Sequence, residues 1–138
     1  MVAEIIVSTS EQDTADTDVE LSDHAADPFR SSPLVAPPPK ATLDAAGELL
    51  RALAAPVRIA IVLQLREAPR CVHELVAALG VTQPLISQHL RVLKSAGVVH
   101  GERSGREVVY ELVDDHLAHI VVDAVEHAAE DVRAERAG

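Results

Sequence analysis

CVHELVAALGVTQPLISQHLRVLKSAG, residues 71–97, decides how the rest of this chain is read. Gly80 and Gly97 each close a run of apolar residues at helical spacing, the position glycine takes just beyond a helix end. The first run is a short helix beginning at Cys71. Thr82 caps the second, predicted over 83–96, with Leu85, Ile86, Leu90 and Leu93 on its inner side. Its outer side offers Gln83, Ser87, Gln88, His89 and Arg91, types that hydrogen-bond to base edges or hold phosphates. Two short helices about a tight turn form a helix-turn-helix pattern. An ordinary surface helix is also polar outside, but that does not explain why an acidic protein keeps acids out of 83–96.

Downstream, Val98–Glu102 and Glu107–Val113 alternate apolar and polar residues, and Arg103-Ser104-Gly105-Arg106 joins them as a turn. Charged hairpin tips also serve solubility alone. Directly after a helix-turn-helix, Arg103 and Arg106 read better as a wing that touches the phosphate backbone. Upstream, Thr42 is placed to cap a helix through Ala54 with Leu43, Ala46, Leu49, Leu50 and Leu53 on one side. Ala55-Pro56 breaks it, and Pro56 suits the first turn of a second helix, Val57–Glu67. Ile59, Ile61, Val62, Leu63 and Leu65 make that helix apolar almost all round, so it belongs at the buried centre.

Further on, DDHLAHIVVDAVEHAAE (114–130) is an amphipathic helix with Leu117, Ile120, Val121, Ala124, Val125 and Ala128 in one stripe. His116, Asp123, His127 and Glu130 run along its edge. His116 and His127 share a face but lie roughly 16 Å apart along the axis, too far to share one metal ion within a helix. The pairs 116/127 and 114/130 centre near Val121 and Val122. An antiparallel second copy would therefore set Asp114 and His116 of one chain beside His127 and Glu130 of the other, forming two symmetric N/O sites. The same residues also suit a solvated acidic face with Asp114 or Asp115 as N-cap, and the helix alone does not separate the two readings.

Composition sets the outer bounds. The 138 residues suit one domain plus a tail, and 48% hydrophobic content supports a core. That core is aliphatic, because Phe29 and Tyr110 are the only aromatics. A net charge of −10 argues against nucleic-acid binding by bulk charge. The charge is uneven, however: residues 81–106 hold Arg91, Lys94, Arg103 and Arg106 against Glu102 alone. Residues 1–40, acidic and ending in Pro37-Pro38-Pro39, read as a disordered tail, and 41–134 as the folded domain. MVAEIIV at the start has strand composition but nothing nearby to pair with. Cys71 is the single cysteine, which excludes an internal disulfide or a multi-thiolate site within one chain. There is no apolar run of membrane-spanning length and no signal-peptide pattern, so a soluble, cytoplasmic protein is expected. An enzyme is not expected: H-E-x-x-H, a nucleophile elbow and a glycine-rich phosphate loop are all missing.

By these residues the chain resembles the ArsR/SmtB family of bacterial winged-helix metalloregulators, its zinc-sensing members most closely. The resemblance is carried by LLRALAAPVRIAIVLQL (49–65), VTQPLISQHLRVLKSAGVV (81–99), GERSGREVVYEL (101–112) and the D-x-H and H-x-x-E pairs at 114, 116, 127 and 130. It covers residues 42–132 and implies a mainly α fold with a β-hairpin, a winged helix-turn-helix dimerising through its N- and C-terminal helices. It further implies a homodimeric repressor of a palindromic operator, released when Zn(II) binds Asp114, His116, His127 and Glu130 across the dimer. The 83–91 face would read the DNA. The family's thiolate sensors carry C-x-C where this chain has Cys71-Val72-His73, which argues against an arsenic or cadmium thiolate sensor. A second family site, on the helix before the reader plus an N-terminal arm, would here draw on Cys71 and Glu74 (or His73) with His24. The alternative is a winged-helix repressor with structural histidines that senses another metal, or redox state through Cys71.

Overall fold

The computed structural model describes residues 32–138. His24, the MVAEIIV segment and most of the expected acidic tail lie outside the described residues. The folded unit runs from Pro39 to Gly138. Its helices are α1 (Lys40–Leu53), α2 (Pro56–Glu67), α3 (Val72–Leu79), α4 (Gln83–Ser95) and α5 (Asp115–Ala137). Its strands are β1 (Arg70–Cys71), β2 (Val99–Ser104) and β3 (Glu107–Leu112). The result is a mainly helical winged helix-turn-helix, as the pattern implied.

α2 is the hub, packing against every other helix and β3. Ile61, Val62 and Leu65 are buried in it, beside Leu75 of α3, Ile86, Leu90 and Leu93 of α4, and Leu117 and Val121 of α5. Each such side chain contributes about 1.5–3 kcal/mol by leaving water. The corner between α1 and α2 is held by Arg58, whose Nε donates to the Ala52 carbonyl at 2.6 Å. Gly80 ends α3 at φ +67°, a left-handed conformation that costs glycine nothing.

Local details depart from the sequence expectation in several places. α1 starts at Lys40, not after Thr42, because the Pro39 carbonyl accepts from the Thr42 and Leu43 amides at 3.0 and 3.1 Å. Thr82 sits at the N-cap of α4, but its side chain makes no capping bond; Pro84 in the first turn starts the helix instead. Leu85, expected inside, is 47% exposed, since Ile86, Leu90 and Leu93 complete the buried stripe at i, i+4 and i+7. The hairpin is part of a three-stranded antiparallel sheet in the order β1-β3-β2, because Arg70 and Cys71 pair with Tyr110 and Val109. A strand so short has no period to reveal it.

In the wing, Ser104 pairs with Glu107 across Gly105-Arg106, and Gly105 takes φ +65° to close the turn. The turn is tighter than the expected Arg103–Arg106, and it puts Arg106 in the loop with Arg103 on the adjoining strand. No helix among the described residues is long and apolar enough to cross a membrane.

Candidate functional site

The outer side of α4 is built by the residues the inner stripe leaves over. Gln83, Gln88 and Arg91 are exposed and Ser87 is half-buried. His89 is half-buried too, and its Nδ1 lies 3.3 Å from Nη1 of Arg58, so the ring is engaged by α2. Sequence reasoning missed Arg58, since nothing local links it to a residue 31 positions away. Arg51, Arg58 and Arg91 line a cleft of about 580 Å³ where α1, α2 and α4 meet. Arg103 and Arg106 are exposed in the wing.

The ligand candidates on α5 lie in two groups. Asp114 caps the helix, its Oδ1 accepting from the Leu117 amide at 3.4 Å, and the same oxygen lies 3.5 Å from His116 Nδ1. Farther along, His127 Nε2 lies 3.7 Å from Oδ2 of Asp131, so the carboxylate beside it here is Asp131 rather than Glu130. The His116 and His127 side chains are 90% and 78% exposed. Within one chain these groups do not converge: among the described residues, the cluster in which three ligand types come together lies elsewhere. As exposed imidazole and carboxylate donors, each group suits half of a zinc site. Between them the helix buries Leu117, Ala118 and Val121 against its own chain but leaves Ile120 and Val125 at 37% and 36% exposure, and Val132 just beyond them is at 47%.

The cluster lies where α3 meets the wing. Cys71 is buried at the α3 N-cap, and Glu74 reaches back to it: the Cys71 amide donates to Glu74 Oε1 at 3.0 Å and the thiol to the same oxygen at 3.2 Å. These bonds, from the backbone first and then the thiol, hold the Glu74 carboxyl below its ordinary range. Burial pushes the Cys71 thiol up. A buried, protonated thiol is a poor redox sensor, which argues against the oxidation alternative. Beside it, His73 Nδ1 is 3.3 Å from Cys71 Sγ and 2.8 Å from Oε1 of Glu107. Glu107, on β3, is the residue that sequence reasoning missed here. Of the second site expected from His24, Cys71, His73 and Glu74, only the three from 71–74 fall among the described residues.

Comparison with known proteins places this architecture. Residues 55–100 match the family described as bacterial regulatory protein, arsR family. The chain is 66% identical over 125 residues to the HTH-type transcriptional repressor SmtB of Mycobacterium tuberculosis H37Rv, covering 90% of this chain and 93% of that one. Among solved structures, a homodimeric winged helix-turn-helix DNA-binding domain from Mycobacterium bovis superposes with TM-score 0.62 at 26% identity, covering 72% of this chain and 95% of that one. The solution structure of apo-NmtR gives TM-score 0.56 at 37% identity, covering 72% and 83%. A 66% identity over nearly the full length to a named repressor, on a winged helix-turn-helix whose wing tip carries arginines, makes this chain a transcriptional repressor of the ArsR/SmtB family.

Proposed function

We propose that the protein is a homodimeric repressor of a palindromic operator that Zn(II) releases by binding between the two C-terminal helices. The carrying observation is α5 itself, whose exposed apolar stripe lies between two sets of exposed metal-ligand types. A second copy laid antiparallel on the stripe covers Ile120 and Val125. It also sets Asp114 and His116 against the partner subunit's His127 and Glu130. Exposed Leu43 and Leu50 on α1 extend the apolar surface available to a partner. The related Mycobacterium bovis domain is homodimeric, which supports the same assembly here.

On this reading Gln83, Ser87, Gln88 and Arg91 meet base edges and phosphates, Arg103 and Arg106 meet the backbone, and His89 steadies α4 through Arg58. Leu85, exposed on the same helix, adds an apolar contact suited to a thymine methyl. Zinc supplies a bond between subunits that fixes their relative placement. That placement sets the spacing of the two α4 helices, which must match major grooves roughly 34 Å apart. Zinc and operator then oppose each other by reciprocal linkage. On this reading the protein acts in the cytoplasm, together with its operator.

The test mixes His116→Ala with His127→Ala. Each homodimer alone should bind operator and ignore zinc. The heterodimer should regain zinc binding at one site, since one site loses both histidines and the other keeps both. A verified heterodimer that takes up no zinc would refute the shared site, even with both histidines necessary.

A further inference from the structure

We propose that Arg51, Arg58 and Arg91 form a phosphate-binding site in the cleft where α1, α2 and α4 meet, taking a free phosphomonoester or a backbone phosphate of DNA lying beside α4. The site stands apart from the α5 ligands and shares only Arg91 with the reader face. Binding of a free phosphate can therefore be tested whether or not the zinc reading holds.

The packing of three helices prepares Arg58 for this role. Its Nε donates to the Ala52 carbonyl at 2.6 Å, and its Nη1 lies 3.3 Å from Nδ1 of His89. A guanidinium only donates, so His89 accepts at that nitrogen. Anchors on α1 and α4 thus hold the planar fork in place before any ligand arrives, which lowers the ordering cost of grasping an anion. The remaining N–H donors of Arg58 have no protein partner among the described residues. Arg91 is exposed across the same cleft, and Arg51 completes the set from α1.

Charge and shape agree. Arg51 is tied to Glu48 at 2.7 Å, whereas Arg58 and Arg91 have no carboxylate at ion-pair distance among the described residues. The C-terminal turns of α1 and α4 also border the cleft, but each brings only about half a negative charge, against a full positive charge on each arginine. Arginine forks match phosphate oxygens in pairs, so a phosphate fits better than a halide or a neutral ligand. The volume of about 580 Å³ lies within the roughly 300–1,000 Å³ typical of small-molecule sites. Ala52, Val92 and Ala96 supply an apolar wall on which the carbon body of an ester, or a deoxyribose, can rest. A free ester that engages Arg91 withdraws it from the reader face, so ester and DNA would compete.

Calorimetric titration of the full-length protein with phenyl phosphate, at fixed ionic strength in a phosphate-free buffer, reads the free-ligand arm. The expected result is saturable binding of one phosphate per chain, with none for phenol. Arg91→Gln, on an exposed side chain, should weaken binding roughly tenfold or more, as loss of a charge-assisted hydrogen bond does. Arg58→Lys keeps the charge but loses the fork and should weaken it similarly, with circular dichroism verifying that variant's fold. Arg106→Ala should leave it unchanged. The DNA arm follows binding to a mixed-sequence duplex against salt, where Arg51→Gln should flatten the log–log slope by about one unit for a backbone phosphate in the cleft. Phenyl phosphate binding that needs Arg58 and Arg91 assigns the cleft to a free ester, and a flattened slope in Arg51→Gln assigns it to DNA. Binding that is absent, indifferent to Arg58 and Arg91, or lost in Arg106→Ala, together with an unchanged slope in Arg51→Gln, overturns the site.

Discussion

α4 and α5 are both amphipathic, yet they meet opposite fates within one chain. Ile86, Leu90 and Leu93 of α4 are almost wholly buried, at 0%, 1% and 0% exposure, against α2, α3 and the root of the wing. On α5, Leu117, Ala118 and Val121 find such cover near the N-terminal end, while Ile120, Val125 and Val132 do not. α4 is thus completed by its own chain, whereas α5 keeps an apolar side that its own chain leaves open. A reader that must present fixed side chains gains from a closed core behind it. Under the proposed function, a helix that shares an ion between chains must keep one side open.

The largest effects should separate these two helices directly. Leu90→Ala opens a cavity in the core and should cost about 2–5 kcal/mol in urea unfolding. Ile120→Asp with Val125→Asp should leave the chain folded by circular dichroism but monomeric by size exclusion. Loss of two-point binding should then lower operator affinity roughly hundredfold. If this double variant stays dimeric, the contrast between α4 and α5 has been misdrawn.

Arg106→Ala sharpens the same contrast from the DNA side. It should weaken binding to all sequences about equally and flatten the salt dependence by about one unit in the log–log slope. Zinc uptake at α5 should not change. An unaltered salt slope would remove Arg106 from the phosphate contacts.

The smallest effect concerns Glu74. Its carboxyl is held low by the Cys71 amide and thiol, so its ionised form contributes stability at neutral pH. That contribution is present above the ordinary glutamate range and is lost as pH falls through the lowered folded value. Glu74→Gln should therefore melt below wild type at pH 7, and the gap should close in acid. A gap independent of pH between 7 and 3 would mean that Glu74 acts by shape rather than charge.

Much of this was legible locally because helices and strands declare their faces by period. Gly80, Pro56 and Gly97 marked element ends, the alternation on either side of Gly105 marked the wing, and α2 showed itself as the centre by being apolar all round. The candidate ligands of α5 were visible for the same reason, as a pattern within one helix. Leu85 and Thr82 misled because composition at a helix start does not say which turn faces inward or which group caps it.

The chain order of residues determined which elements form, where they stop and which side of each is apolar. Only the tertiary structure decided which distant side chains meet. β1 spans just Arg70 and Cys71, too short for any sequence pattern, yet its pairing with β3 brings Glu107 to His73 and Cys71. In the same way the packing of α4 on α2 brings His89 to Arg58. Periodicity is a property of neighbours along the chain, whereas register between elements is settled by the packing of the whole core, and no local pattern records it.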